Sequence, residues 1–156
     1  MRLALFQPEI PQNVGTLLRL GACLNVPVDV IEPCGFLLSD KRMKRAGMDY
    51  MQHVDWTRHS SWDDFQQKYT GQRRIALDIK GEAAHHHFSF RPDDILLLGQ
   101  EGEGLPDAVF NACDARVVIP MCPDVRSLNV AVAGAIVLNE ALRQTQQFPV
   151  HPSLED

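Results

Sequence analysis

Three segments of this chain combine residue types that could do chemistry. The first is Pro8-Glu9-Ile10-Pro11-Gln12-Asn13-Val14-Gly15-Thr16-Leu17-Leu18-Arg19. Two prolines stiffen the turn after an apolar run, and Asn13 can cap the helix that follows. Backbone N–H groups at such a helix start suit an anionic ligand such as a phosphate. Arg19 falls six residues later, inside an otherwise apolar helix. A charge there either points into a site or reaches the helix rim along its own apolar stem.

The second segment is Leu96-Leu97-Leu98-Gly99-Gln100-Glu101-Gly102-Glu103-Gly104-Leu105-Pro106. An apolar run enters a glycine-rich loop, and Pro106 sits where a helix would begin. Gly102 and Gly104 invite a dinucleotide-binding reading, but Asp107 stands where the third glycine belongs. Glu101 and Glu103 would also bracket a pyrophosphate with like charge. These carboxylates suit a neutral or cationic ligand, and a sulfonium cofactor without phosphate, S-adenosylmethionine, fits that description. A purely structural turn is the alternative. The third segment, Ile119-Pro120-Met121-Cys122-Pro123-Asp124-Val125-Arg126-Ser127-Leu128-Asn129, again follows an apolar run. Ser127 or Asn129 can cap the next helix, and the loop backbone can read an adenine edge.

These segments need elements to hold them. Apolar runs at Leu3–Phe6, Val28–Ile31, Arg74–Ile79, Ile95–Leu98 and Arg116–Ile119 read as strands, and Val54–Trp56 as a further one. Helical periodicity covers Asn13–Asn25, a stretch capped by Ser60 or Ser61 and running to Gly71, and a long closing helix over Ser127–Gln144. Strands alternating with helices predict an α/β fold with a mostly parallel sheet flanked by helices, built as one domain over residues 1–156. From Leu128 to Leu138 the closing helix has almost no polar face, with small residues at Ala131, Ala133, Gly134 and Ala135. A helix apolar all round must be covered on both sides. The sheet can supply one cover and a second subunit the other, so a homodimer is expected.

Composition bounds the rest. The chain has 156 residues, 45% hydrophobic and 22% charged, with a formal net charge of -5. No stretch approaches the ~18 apolar residues of a membrane span, and the first apolar run is too short for a signal-peptide core. Cys23, Cys34, Cys113 and Cys122 show no metal-ligand spacing and read as reduced thiols of a cytoplasmic protein. His85-His86-His87 reads as a surface loop, and no metal site is expected. The net charge argues against a generic nucleic-acid coat, yet it is segregated. Residues 1–100 hold twelve basic and twelve acidic side chains, whereas residues 101–156 hold three and eight. The basic cluster Lys41, Arg42, Lys44 and Arg45 lies in the neutral portion, where it can meet phosphates or form a solvated helix face.

In order and wording, PEIPQNVGTLLRLGA, LLLGQEGEGLP and IPMCPDVRSLNVAVAGAIVLNEA resemble the three signature motifs of the SPOUT superfamily of RNA methyltransferases. The segments IEPCGF and KRMKRAGMDY narrow the resemblance to its small bacterial tRNA methyltransferases of the wobble ribose. It implies a C-terminal deep trefoil knot, which chain-topology rules would never suggest. It also implies S-adenosylmethionine as methyl donor without a metal, tRNA as substrate, and a homodimer with the site near the subunit boundary. Carried over, Leu77, Gly99, Gly104, Ile119, Ser127 and Leu128 would hold the cofactor. Arg19 and Asn13 would serve catalysis, and Lys41, Arg42, Lys44, Arg45 and Arg126 would contact RNA. Methylation of another tRNA or rRNA position, and a silent knotted RNA-binding module, are the competing expectations. The chain departs from the pattern at Gln100–Glu103, which lacks a basic residue before the last glycine. It departs also at Asp78, where Thr or Ser is common, and at Asn139, where Tyr is common.

Overall fold

The computed structural model describes residues 1–38, 53–124 and 127–150. Strand β1 (Arg2–Phe6) leads into helix α1 (Pro11–Leu24) and strand β2 (Val28–Ile31). Strand β3 (Trp56–His59), the short helix α2 (Trp62–Lys68) and strand β4 (Arg74–Leu77) follow. Next come a two-residue strand β5 (Ala83–Ala84), a 3-10 turn at His85–His87, and strand β6 (Ile95–Leu98). Helix α3 (Asp107–Asn111), strand β7 (Ala115–Val118) and the long helix α4 (Val130–Thr145) complete the fold.

The strands form one seven-stranded sheet in the order β3-β2-β1-β6-β4-β7-β5, with every pairing parallel. Both faces are covered, which is why β6 reads as an unbroken apolar run rather than an alternating one. Side chains still alternate across the pleat. Leu3, Leu5, Leu96 and Leu98 pack with Leu17, Leu18, Val137 and Leu138 of α1 and α4. Ala4, Phe6, Ile95 and Leu97 face the opposite way, toward Phe65, Leu105 and Val109. On that second face lies a buried polar knot of side chains. The Asp29 carboxylate accepts from Arg2 Nε at 2.8 Å, His59 Nε2 at 2.7 Å and the Tyr69 hydroxyl at 2.8 Å. Burial first, and then the bond to Asp29, pushes the Tyr69 phenol well above its ordinary pKa.

Several boundaries differ from expectation. Helix α1 begins at Pro11, two residues before Asn13, because proline at the first helical position has the right φ and no N–H to lose. Asn13 is therefore inside the first turn and does not cap the helix. The third strand is Trp56–His59 rather than Val54–Trp56, since Trp56 is the residue in register with Val28. Strand β4 stops at Leu77, where Asp78 turns away to bind loop amides. Asn129, not Ser127, caps α4, its side chain accepting from Ala131 N and Val132 N. The His85–His87 segment is a 3-10 turn in which His85 is half-buried, not a wholly exposed loop.

Candidate cofactor and active site

In a parallel sheet, a cleft opens where neighbouring strands send their connections in opposite directions. Here that point lies between β1, whose chain goes on to β2, and β6, whose chain crosses to β7. A cavity of about 660 Å³ sits over the carboxyl ends of β4, β6 and β7. The expected cofactor residues Leu77, Gly99, Gly104, Ile119, Ser127 and Leu128 all line it, together with Asn13. Its size lies within the range typical of small-molecule sites, about 300–1,000 Å³.

The glycine-rich loop is shaped by its own backbone. Gln100 N donates to Gly104 O and Gly104 N to Gln100 O, each at 3.0 Å, closing a tight turn. Gly104 takes φ +70°, a conformation that side chains rarely adopt. At Gly99 a Cβ would stand 2.4 Å from the Gly104 carbonyl carbon, so neither glycine is replaceable without moving the turn.

Glu101 ties this loop to the first motif. Its carboxylate accepts from Glu9 N at 2.7 Å, Ile10 N at 3.2 Å and Asn13 Nδ2 at 2.9 Å. In return, Gly102 N donates to the Glu9 carboxylate at 2.8 Å. The backbone amides just ahead of α1 are thus met by the chain's own anion, a favourable partner for that end of a helix. Asn13 then accepts from Asn129 Nδ2 at 2.9 Å, and Asn129 caps α4. One hydrogen-bonded line joins all three sequence motifs. The sequence reading missed it, although Ile10 before Pro11 offers no capping side chain, a sign that the cap must come from elsewhere.

Asp78 is a further residue of the site. Its Oδ1 accepts from Lys80 N at 3.0 Å and its Oδ2 from Leu105 N at 3.3 Å, bridging two walls of the cavity. Gln100 donates to the side chain of Gln7 at 3.1 Å, joining the ends of β6 and β1. Burial, reinforced by Glu32 and Glu101, raises Cys34 to about 11. Among the described residues, no group of three or more His, Cys, Asp or Glu side chains could hold a metal ion.

Arg19 is placed differently. It is exposed on α1 and is not among the residues lining the cavity. Helix α4 likewise presents Val132 and Ile136 to the outside, 48% and 37% exposed, while its Ala131, Gly134, Val137 and Leu138 are buried. The basic residues Lys41, Arg42, Lys44 and Arg45, and Arg126, lie outside the described residues. Among the described residues, no helix is long and apolar enough to cross a membrane.

Comparison with known proteins places this architecture. A protein of Beijerinckia indica named tRNA (cytidine(34)-2'-O)-methyltransferase is 56% identical over 144 residues, covering 91% of this chain and 90% of that protein. A solved structure described as giving structural insights into the 2-OH methylation of C/U34 on tRNA matches with a TM-score of 0.86 at 45% identity, covering 92% of this chain and 94% of that one. The SpoU methyltransferase AviRb of Streptomyces viridochromogenes, solved in complex with the cofactor AdoMet, matches with a TM-score of 0.80 at 26% identity, covering 92% of this chain and 60% of that one. The model of the SpoU rRNA methylase family spans residues 1–139, from β1 through the three linked motifs into α4. That match, over most of the chain, shows that the chain belongs to the SpoU rRNA methylase family.

Proposed function

We propose that this chain is an S-adenosyl-L-methionine-dependent tRNA 2′-O-ribose methyltransferase acting on the wobble nucleotide, C or U at position 34. The observation that carries the reading is the cavity into which the Glu101–Asn13–Asn129 line draws all three motifs. Bound there, S-adenosylmethionine supplies a methyl group already activated by its sulfonium, so no metal is needed. The residues present fit such a group: apolar Leu77, Ile119 and Leu128 for a nucleoside, cavity-lining loop backbone at Gly99 and Gly104, and wall carboxylates suited to a cationic ligand.

Transfer forms a bond from the ribose 2′-oxygen to the methyl carbon and breaks the sulfur–methyl bond, leaving its electron pair on sulfur. The hydroxyl proton leaves to an acceptor in the complex. Most of the rate gain comes from holding the hydroxyl in line with the methyl group. A guanidinium stays protonated in ordinary sites, so Arg19 acts as a cationic clamp on the target nucleotide or works together with a neighbouring phosphate. On this reading the chain works as a homodimer. Arg19, outside its own subunit's cavity, serves a site at the subunit boundary, and the exposed Val132 and Ile136 give α4 its second cover. The strand order β4-β7-β5, with α4 returning onto α1, supports the C-terminal trefoil knot. The free thiols and the tRNA substrate fit a cytoplasmic enzyme.

The test is methylation of bulk tRNA, taken from a strain lacking the activity, with labelled S-adenosylmethionine and mapping of the labelled nucleotide. Label on the wobble ribose is expected, while label elsewhere in tRNA, or only in rRNA, would replace the substrate assignment. Arg19→Ala should lower transfer by roughly a hundredfold or more with cofactor affinity kept. Near-full activity in Arg19→Lys would remove any role that needs the guanidinium fork.

A further inference from the structure

The cavity walls carry an uneven charge. Among the described residues that line it, Asp78, Glu101 and Glu103 are acidic and Lys80 is basic. Lys80 Nζ is held by Asp107 Oδ1 at 3.2 Å, and Glu101 is engaged by three donors at the start of α1. Asp78 is differently placed. It stands at the carboxyl end of β4, on the cavity wall, and is fixed by amides of two loops. The fit is close: a Cβ on Gly104 would come within 2.9 Å of Asp78 Oδ2. Each carboxylate oxygen offers about two acceptor positions, so one bond to each leaves Asp78 able to act on a ligand.

We propose that Asp78 is a specificity residue of this cavity, whose fixed negative charge makes the site favour the cationic methyl donor over the neutral thioether that remains after transfer. The proposal rests on the methyltransferase reading above. Donor and product differ by one methyl group and one positive charge at sulfur, so shape alone distinguishes them weakly. A carboxylate anchored in the wall acts on that charge without needing to reorganise. It thereby limits occupation of the site by its own product.

The test is calorimetric titration of the purified full-length protein with S-adenosylmethionine and, separately, S-adenosylhomocysteine. Asp78→Asn keeps the shape and removes the charge. The donor should bind about five- to tenfold more weakly, and the product less than about twofold more weakly. Raising salt from about 0.05 to 0.5 M should narrow the wild-type preference in the same direction. Asp78→Glu, which restores the charge while disturbing the two amide bonds, should keep the preference even where both affinities fall. Equal weakening of both ligands by Asp78→Asn, or no change in either, would overturn the proposal. Wild-type protein that bound neither ligand would remove the methyltransferase reading, and this proposal with it.

Discussion

Glu101 shows how one side chain can organise a site without facing the reaction. Three donors converge on it, two from the backbone entering α1 and one from Asn13. Glu101→Ala would leave the part-buried Asn13 amide without its acceptor, while water serves the exposed Glu9 and Ile10 amides, a loss of about 0.5–1.5 kcal/mol. For a chain of this size, the melting temperature should fall by about 2–4 °C for each kcal/mol lost. Cofactor affinity should fall with it, because Asn13 and Asn129 lose their shared reference, and thermal denaturation with calorimetry would report both. The thiols divide by burial. Burial holds Cys34 and Cys113 at about 11, whereas Cys23 and Cys122 are exposed. A thiol-labelling time course on the folded protein should therefore show two fast sites and two slow ones, the slow pair released by denaturant. Labelling of all four at one rate would contradict the placement.

At the scale of elements, α4 is the piece that closes the fold, and it does so by close approach. A Cβ at Gly134 would lie 2.9 Å from Leu98 Cδ1 and 3.1 Å from Leu17 Cδ2. Gly134→Ala should therefore destabilise the protein by about 1–3 kcal/mol through overpacking, despite alanine's better helix propensity. Urea denaturation would show a lower midpoint. Farther along, Arg143 and Gln144 hold Glu140 down to about 2, and Gln144 also binds Phe88 O and Phe90 N, tying α4 to the turn beneath it. A carboxyl with a depressed folded pKa stabilises above its unfolded value, and the contribution is lost as pH falls through the folded one. The gap in melting temperature between wild type and Glu140→Gln should therefore be widest near neutrality and close as pH falls from about 4.5 to about 2. Element types were legible in the sequence wherever burial on both faces left a continuous apolar run, as at Ile95–Leu98. Element ends were less so, because partners distant in the chain help set them, as Leu105 N does at the end of β4.

For the whole molecule, the motifs disclosed which residues meet but not how the chain travels to bring them together. The residues proposed to hold the cofactor, from Leu77 to Leu128, gather in one cavity because the sheet order interleaves early and late strands, and no local pattern encodes that order. The exposed apolar pair on α4 carries the quaternary expectation. Val132→Asp with Ile136→Asp should convert a dimer to a monomer in sedimentation velocity, whereas a wild-type monomer at the same concentration would refute the homodimer. The interleaved sheet has one more consequence, for synthesis rather than for the finished enzyme. Strand β1 is complete at Phe6, but its central neighbour β6 begins at Ile95. At roughly 5–20 residues per second, the ribosome delivers that neighbour about 4–18 seconds later. Meanwhile β4, which will lie beyond β6, has already emerged with its backbone edges unpaired. The nascent chain must hold that place in the sheet open, so a slow codon stretch before Ile95 would favour the wrong neighbour, and a fast one the right fold.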